Sequence, residues 1–330
     1  MGCRAMKFSY PEGATPIDDI SGLKIVWVKT QDDLNQVEAE NISSAATTHL
    51  LKPIDLPQLW FNIAMLQKIH RDMFFDVWDW AGKFRTTQTR PGIKPYLIPN
   101  ALASLCQEVK FWCSEVCELT ILEQAAKIHH QLVFIHPYFN GNGRFSRLVS
   151  DRYLKSLKCP YPSWPIDLDK DGQYRKRYID SLKEADRGSY ESLASYMNEY
   201  GAKDPAISEL LGHSFFRENF QGNRLYTLVK AHIRRGYSVN ENTNNGHHPL
   251  NIALQHDLYH VSELLLENGA QAHTRDKSGL TAFELALTKN LYDIAFKIYQ
   301  KGHPYTPRLP NQHLKVPHQN LYQFDRRFFS

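Results

Sequence analysis

The residues best suited to chemistry lie in one short stretch. After the apolar run Ile128-His129-His130-Gln131-Leu132-Val133-Phe134-Ile135 the chain reads His136-Pro137-Tyr138-Phe139-Asn140-Gly141-Asn142-Gly143-Arg144-Phe145-Ser146-Arg147, then returns to an apolar helical pattern through Leu148, Val149, Tyr153 and Leu154. A glycine-rich turn feeding a helix presents backbone N–H groups with no carbonyl partner inside the helix, at the positive end of the helix dipole. Gly141 and Gly143 let an anion approach the main chain without a Cβ in the way. Arg144 and Arg147 project from one face of the same helix and can grip phosphate oxygens in forked pairs. His136 stands at the edge of that cradle, where a neutral imidazole can take a proton from an incoming hydroxyl. The pattern predicts a base held beside a bound phosphate.

Amphipathic helices must position this segment. The spacing of apolar residues predicts them at Leu59 to Phe74, Leu102 to Val116, Ile121 to Phe134 and Gln173 to Tyr200, so the chain reads as mostly α. One segment differs. Phe84 to Gln88 and Ile93 to Tyr96 are β-prone and flank the turn signal Arg90-Pro91-Gly92, which predicts a short β-hairpin, at an edge because of Pro91 and Pro95. Cys106, Cys113 and Cys117 recur at helical spacing and read as buried thiols on one face.

Composition narrows the function classes. The chain of 330 residues is 42% apolar and 22% charged, which excludes a wholly disordered or fibrous protein. A net charge of +4 over this length implies no electrostatic grip on nucleic acid. Neither a membrane-spanning run nor the apolar centre of a secretory signal is present, so the expected compartment is cytoplasmic; no targeting segment supports secretion into a host cell. Without a CxxC pair or an HExxH motif, zinc is not expected.

The last third is periodic. Gly246, Pro249 and Ala253 recur as Gly279, Ala282 and Ala286, and Gly236, Gly269 and Gly302 each close a helix-like run, always at an interval of 33 residues. Three regions follow: 1–205, 206–302 with the repeats, and a proline-rich basic tail at 303–330, which shows no periodicity and reads as a linker or a surface-hugging extension.

The repeats, in GHHPLNIA and GLTAFELA, resemble ankyrin repeats. The segment His136 to Arg147 resembles the Fic-domain signature HPFx(D/E)GNGRxxR, with Tyr138 in place of Phe. Gly13 to Pro16, Asp76 to Thr86 and Tyr178 to Tyr190 are similar to the Fic branch called mobile mystery protein B. The resemblance implies a helical Fic domain with a β-hairpin flap, followed by a short ankyrin array. It further implies transfer of AMP from ATP to a Ser, Thr or Tyr hydroxyl of a protein, another or the chain itself, with release of pyrophosphate. In that pattern His136 is the base, Gly141, Asn142 and Gly143 form the anion hole, and Arg144 and Arg147 hold the outer phosphates. Mg2+ is the expected cofactor, although Asn140 stands where the signature has Asp or Glu. The flap, with Arg85, Thr86 and Thr87, would align the target by main-chain pairing. Gln36 to Asn41 resembles the inhibitory motif (S/T)xxxE(G/N), which makes Glu40 the carboxylate expected to pair with Arg147. The ankyrin array would engage a protein partner or dock on the Fic domain. Alternatives left open are transfer of UMP, phosphate or phosphocholine, removal of AMP, and a catalytically weak ankyrin interaction protein.

Overall fold

The computed structural model describes residues 22–114, 117–165, 168, 172–220, 222–305 and 314–329; Gly13 to Pro16 fall outside these. The chain divides into two compact units, one of residues 1–114 and 119–204, the other of 115–118 and 205–330.

In the first unit α1 (Gln31–Ala46) runs into a π-turn at Thr47–Leu51, followed by α2 (Pro57–Trp60), α3 (Ile63–Phe74), α4 (Ile98–Ser114), α5 (Ile121–Ile135), α6 (Asn142–Ser156), α7 (Gln173–Ala185) and α8 (Glu191–Glu199). Capping boxes start two of these. The Thr30 hydroxyl accepts from Asp33 N (3.1 Å) while the Asp33 carboxylate accepts from Thr30 N (2.9 Å), and Thr120 with Glu123 repeats the arrangement before α5. Each cap contributes about 1 kcal/mol. Two predicted helices are broken. Asn62 leaves the helix and caps α3, accepting from Met65 N at 3.0 Å, so Leu59 to Phe74 becomes α2 and α3. Gly188, at φ +91°, separates α7 from α8 within Gln173 to Tyr200. Cys106 and Cys113 are buried on α4, whereas Cys117 is half-buried beyond that helix.

α5 packs along α6, and α1 along α3. Ala125, Ile128 and Leu132 of α5 are fully buried, as are Phe145, Val149 and Tyr153 of α6. Each large apolar side chain so placed contributes about 1.5 to 3 kcal/mol. This packing fixes where α5 ends and α6 begins, and hence the connection between them.

The predicted hairpin does not form: among the described residues there is no strand, and Phe84 pairs with Tyr138 as an isolated antiparallel bridge. Pro91 and Pro95 remove donors from a ladder. The Arg85 side chain does the joining instead, its Nη1 donating to Thr87 O (2.8 Å) and its Nη2 to Ile93 O.

The second unit contains α9 (Ile207–Gly212), α10 (Ser214–Asn219), α11 (Asn223–Arg234), α12 (Pro249–Gln255), α13 (Tyr259–Glu267), α14 (Ala282–Thr288), α15 (Tyr292–Gln300) and α16 (His318–Phe328). The interval of 33 residues is realised in the backbone: α12 and α14 begin at Pro249 and Ala282, α13 and α15 at Tyr259 and Tyr292. Gly236, Gly269 and Gly302 close the second helix of each pair at φ +83°, +86° and +93°. Of the two readings of the tail, the part from His318 to Phe328 follows the surface-hugging one, as a helix. Leu321, Phe324 and Phe328 have the three-and-four spacing of a helix, and α16 caps the last repeat. Phe324 is fully buried, Phe328 stacks on Phe296 (4.2 Å) and Arg327 pairs with Asp293 (2.8 Å).

Candidate active site

His136 is the first residue after α5 and takes a left-handed conformation, φ +52° and ψ +60°. Its N–H still bonds Leu132 O (3.1 Å), so the chain turns sharply while the helix end stays satisfied. The ring is buried, with 6% exposure, and its Nδ1 lies 3.3 Å from Val133 O. A backbone carbonyl can only accept, so the proton belongs on Nδ1 and the lone pair on Nε2. Burial pulls the imidazole down to about 4, against that carbonyl, with the Arg85 charge adding to the fall. It is neutral at physiological pH, as a general base must be.

Three side chains pin the connection from His136 to α6. Arg85 Nε donates to His136 O at 2.6 Å. Asn142 closes the loop on itself: its Oδ1 accepts from Tyr138 N (2.9 Å) and its Nδ2 donates to Tyr138 O (2.8 Å). The Asn142 side chain is thus a clasp, which leaves only its backbone N–H for the anion hole expected from sequence. His70 is the third, and sequence reasoning missed it. Fully buried on α3, it receives Gly82 N at Nδ1 (3.0 Å), sits 3.0 Å from Asn140 O through Nε2, and stacks on Tyr138 at 3.6 Å. Burial lowers its pKa to about 3, so it stays neutral with its proton on Nε2.

The two glycines have different reasons to be glycine. Gly141 sits at φ +77°, and a Cβ there would meet the Phe74 ring at 2.3 Å. At Gly143 a Cβ would meet nothing within 4 Å, so the space above the first turn of α6 is open. That space fits an anion bound by the N–H groups of the helix start.

Arg144 does not point into open space. Its Nη1 donates to Glu38 Oε2 at 2.6 Å, its Nη2 lies 3.3 Å from Asn140 Oδ1, and its guanidinium rests 5.1 Å from the Phe74 ring centroid. Glu38, on α1, is 2% exposed and also accepts from Trp78 Nε1 at 2.7 Å. Glu40, the carboxylate expected from sequence, lies instead on the exposed face of α1 and accepts from Gln36 Nε2 (3.2 Å). Two residues advance a helix by about 200°, so these glutamates face opposite ways. The signal for Glu38 was present: Leu34, Val37 and Ala45, all buried, mark its side of α1 as the inner one.

Arg147, one turn along α6, is half-buried, and its charge disfavours protonation of His129 and of Asp151. Burial nonetheless pushes the Asp151 carboxyl well up, against two bonds from Trp164 Nε1 at 3.0 and 3.1 Å. Thr86 and Thr87 are exposed on the flap segment, whereas Arg85 is buried beneath it. Among the described residues no group of three or more His, Cys, Asp or Glu could hold a metal ion. The Asn140 side-chain oxygen, the metal candidate from sequence, lies 3.3 Å from Arg144 Nη2.

Comparison with known proteins agrees on the domain. The sequence model of the Fic/DOC family matches residues 60–154. "Protein adenylyltransferase Fic" of Drosophila melanogaster is 28% identical over 207 residues, covering 59% of this chain and 41% of that protein. "Protein adenylyltransferase fic-1" of Caenorhabditis elegans is 29% identical over 134 residues, 40% of this chain and 25% of that protein. The chain spans less than half the length of these curated relatives. Among solved structures, BepC of Bartonella tribocorum with bound AMPPNP is 19% identical, covering 56% of this chain and 94% of that chain, with a TM-score of 0.43.

Proposed function

We propose that the chain is a Fic-type protein adenylyltransferase that moves AMP from ATP to a hydroxyl of a protein, and that Glu38 restrains it. The observation that carries this reading is the pinned loop, with a neutral histidine at one end and an open helix start at the other. The acceptor oxygen attacks the α-phosphorus and its proton passes to His136 Nε2. The bond to the β-phosphate oxygen breaks and pyrophosphate leaves. The N–H groups at Asn142 and Gly143 hold phosphate oxygens, and Arg144 and Arg147 neutralise charge on the leaving group. Asn140 is the residue that would hold Mg2+, and the ion would add charge neutralisation to the phosphates. The relatives named as adenylyltransferases support the reaction class.

Glu38 competes with the nucleotide for Arg144. A buried carboxylate paired with an arginine withholds that arginine from phosphate, and a coupling of about 1 to 3 kcal/mol corresponds to roughly 5- to 150-fold. Helix α1 thereby supports a reading of the chain as autoinhibited, through Glu38 on Arg144 rather than through Glu40 on Arg147 as expected from sequence. The second unit, with paired helices at an interval of 33 residues, supports an ankyrin-type array that recruits the protein to be modified.

Incubation of the full chain with labelled ATP and Mg2+ tests the assignment. Glu38→Ala should label protein at least about tenfold faster than the unaltered chain, and Glu40→Ala should match the unaltered chain. Adding His136→Ala to Glu38→Ala should cut labelling by about 10²- to 10⁴-fold. Equal labelling with and without the imidazole removes His136 as the base.

A further inference from the structure

We infer that the target segment modified at this site is acidic around its hydroxyl, and that Lys83, Arg90 and Lys94 read it; the inference rests on the transferase reading above. The segment from Phe84 to Tyr96 lies against the residues that carry the chemistry. Arg85 N donates to Pro137 O (3.0 Å), Phe84 bridges Tyr138, and a Cβ placed on Gly92 would stand 3.0 Å from the Cβ of His136. A hydroxyl that reaches the imidazole therefore comes within contact range of this segment.

Its charge is one-sided. Between Asp79 and Glu108 the chain holds no acidic residue and four basic ones, Lys83, Arg85, Arg90 and Lys94. Arg85 is buried and engaged with backbone carbonyls, so it offers nothing to a partner. The other three are exposed. Cations gathered without a counter-charge repel one another and favour whatever negative group can approach them.

The segment is also held in shape before any partner arrives. Gln88 Nε2 donates to Thr89 O (2.8 Å) and Gly92 O (3.0 Å), and the Thr89 hydroxyl donates to Pro91 O (2.9 Å), so Arg90 is presented on a fixed turn. Lys94 leans over the Tyr96 ring at 5.9 Å, and that ring is 71% exposed. A preset surface of this kind loses little freedom on binding, so its charges act on selection and on the rate of encounter. Nucleotide phosphates are the other negative groups nearby, yet Arg144, Arg147 and the start of α6 already serve them. Carboxylates flanking the acceptor are the complement left for the flap.

The test uses the full chain carrying Glu38→Ala, labelled ATP with Mg2+, and synthetic peptides with one tyrosine, threonine or serine flanked by glutamate, glutamine or lysine. Glutamate-flanked peptides should show a kcat/KM at least about tenfold above lysine-flanked ones, with the gap narrowing as salt rises. The triple change Lys83→Glu, Arg90→Glu, Lys94→Glu should reverse the order while leaving the KM for ATP unchanged. The neutral triple change to glutamine, a milder perturbation of folding, should abolish the preference. Labelling indifferent to peptide charge overturns the inference, as does a preference that survives charge reversal. A loss confined to the KM for ATP also overturns it and assigns the cations to the nucleotide. If AMP enters neither peptide nor chain, the transferase reading itself falls.

Discussion

Two buried glutamates, one in each unit, each meet an arginine at 2.6 Å, and the two pairs serve opposite ends. Glu284 is fully buried and is held by its own repeat and by the tail beyond it. Arg275 grips it through both terminal nitrogens (2.6 and 2.8 Å), and Thr281 N and Lys315 N each donate at 2.8 Å. Burial pushes its carboxyl up, but those donors outweigh burial and hold it below the ordinary value of 4.5. Glu38 has two donors, Trp78 Nε1 and Arg144 Nη1, and Arg144 lies 106 positions away at the start of the candidate phosphate cradle. The difference teaches that an ion pair locks structure when none of its donors has another ligand to serve. It can act as a latch when one partner has another ligand to serve.

Truncating both carboxylates sharpens the contrast. Glu284→Ala removes the acceptor of five donors and should cost the second unit about 3 to 5 kcal/mol, read by urea unfolding, with no change in AMP transfer. Glu38→Ala strands two and should cost the first unit about 1 to 3 kcal/mol while raising activity. A gain of activity from the first variant, or none from the second, would break the comparison.

Acid should separate the units next. His70, His129 and His136 are held neutral by burial, at about 3, 3 and 4, against an ordinary 6.5. Lowered histidines leave the unfolded chain binding more protons once the pH drops below 6.5, so the first unit loses stability from there down to about 4 for His136 and about 3 for His70 and His129. With three such groups the slope reaches about 4 kcal/mol per pH unit. Glu284 and Asp276 are both lowered, so their contribution is present above their ordinary 4.5 and 3.8 and is lost only as pH falls below them. Unit-resolved hydrogen exchange between pH 7 and about 4 should show the first unit opening first. The acid limb of kcat/KM should likewise lie below 6.5, since His136 keeps its lone pair there.

The glycines give the smallest effects and the finest discrimination. Gly141→Ala, at positive φ and against Phe74, should destabilise the first unit by about 1 to 3 kcal/mol. Gly143→Ala has room and should stabilise α6 by about 0.5 to 1 kcal/mol, yet weaken ATP binding by filling the cradle. Unchanged nucleotide affinity in Gly143→Ala would detach the helix start from phosphate binding.

Much of the architecture was readable from local pattern. Thr30 and Asp33, or Thr120 and Glu123, specify helix starts by side chains three residues apart, and the 33-residue interval repeats in backbone conformation because each glycine recurs at the same turn. The flap misled because β-prone residues around a turn ask for a ladder, whereas the donor that closes this loop is a side chain, Arg85, whose direction no short window encodes. In the tail, the spacing of Leu321, Phe324 and Phe328 was helical, but a short helix is stable only once a surface such as Phe296 receives it.

Residue types and spacing alone therefore determined the loop's chemistry: a histidine, two glycines and two arginines at the junction of two helices, arranged by rules that act over a few bonds. Tertiary structure decided which groups meet across the chain. The rotation of α1 turned Glu38 inward and Glu40 outward, α3 carried His70 beneath the loop, and Arg85 was drawn to the carbonyl of His136. Such choices depend on how whole helices pack, and packing sums many weak contacts that no single stretch of sequence contains.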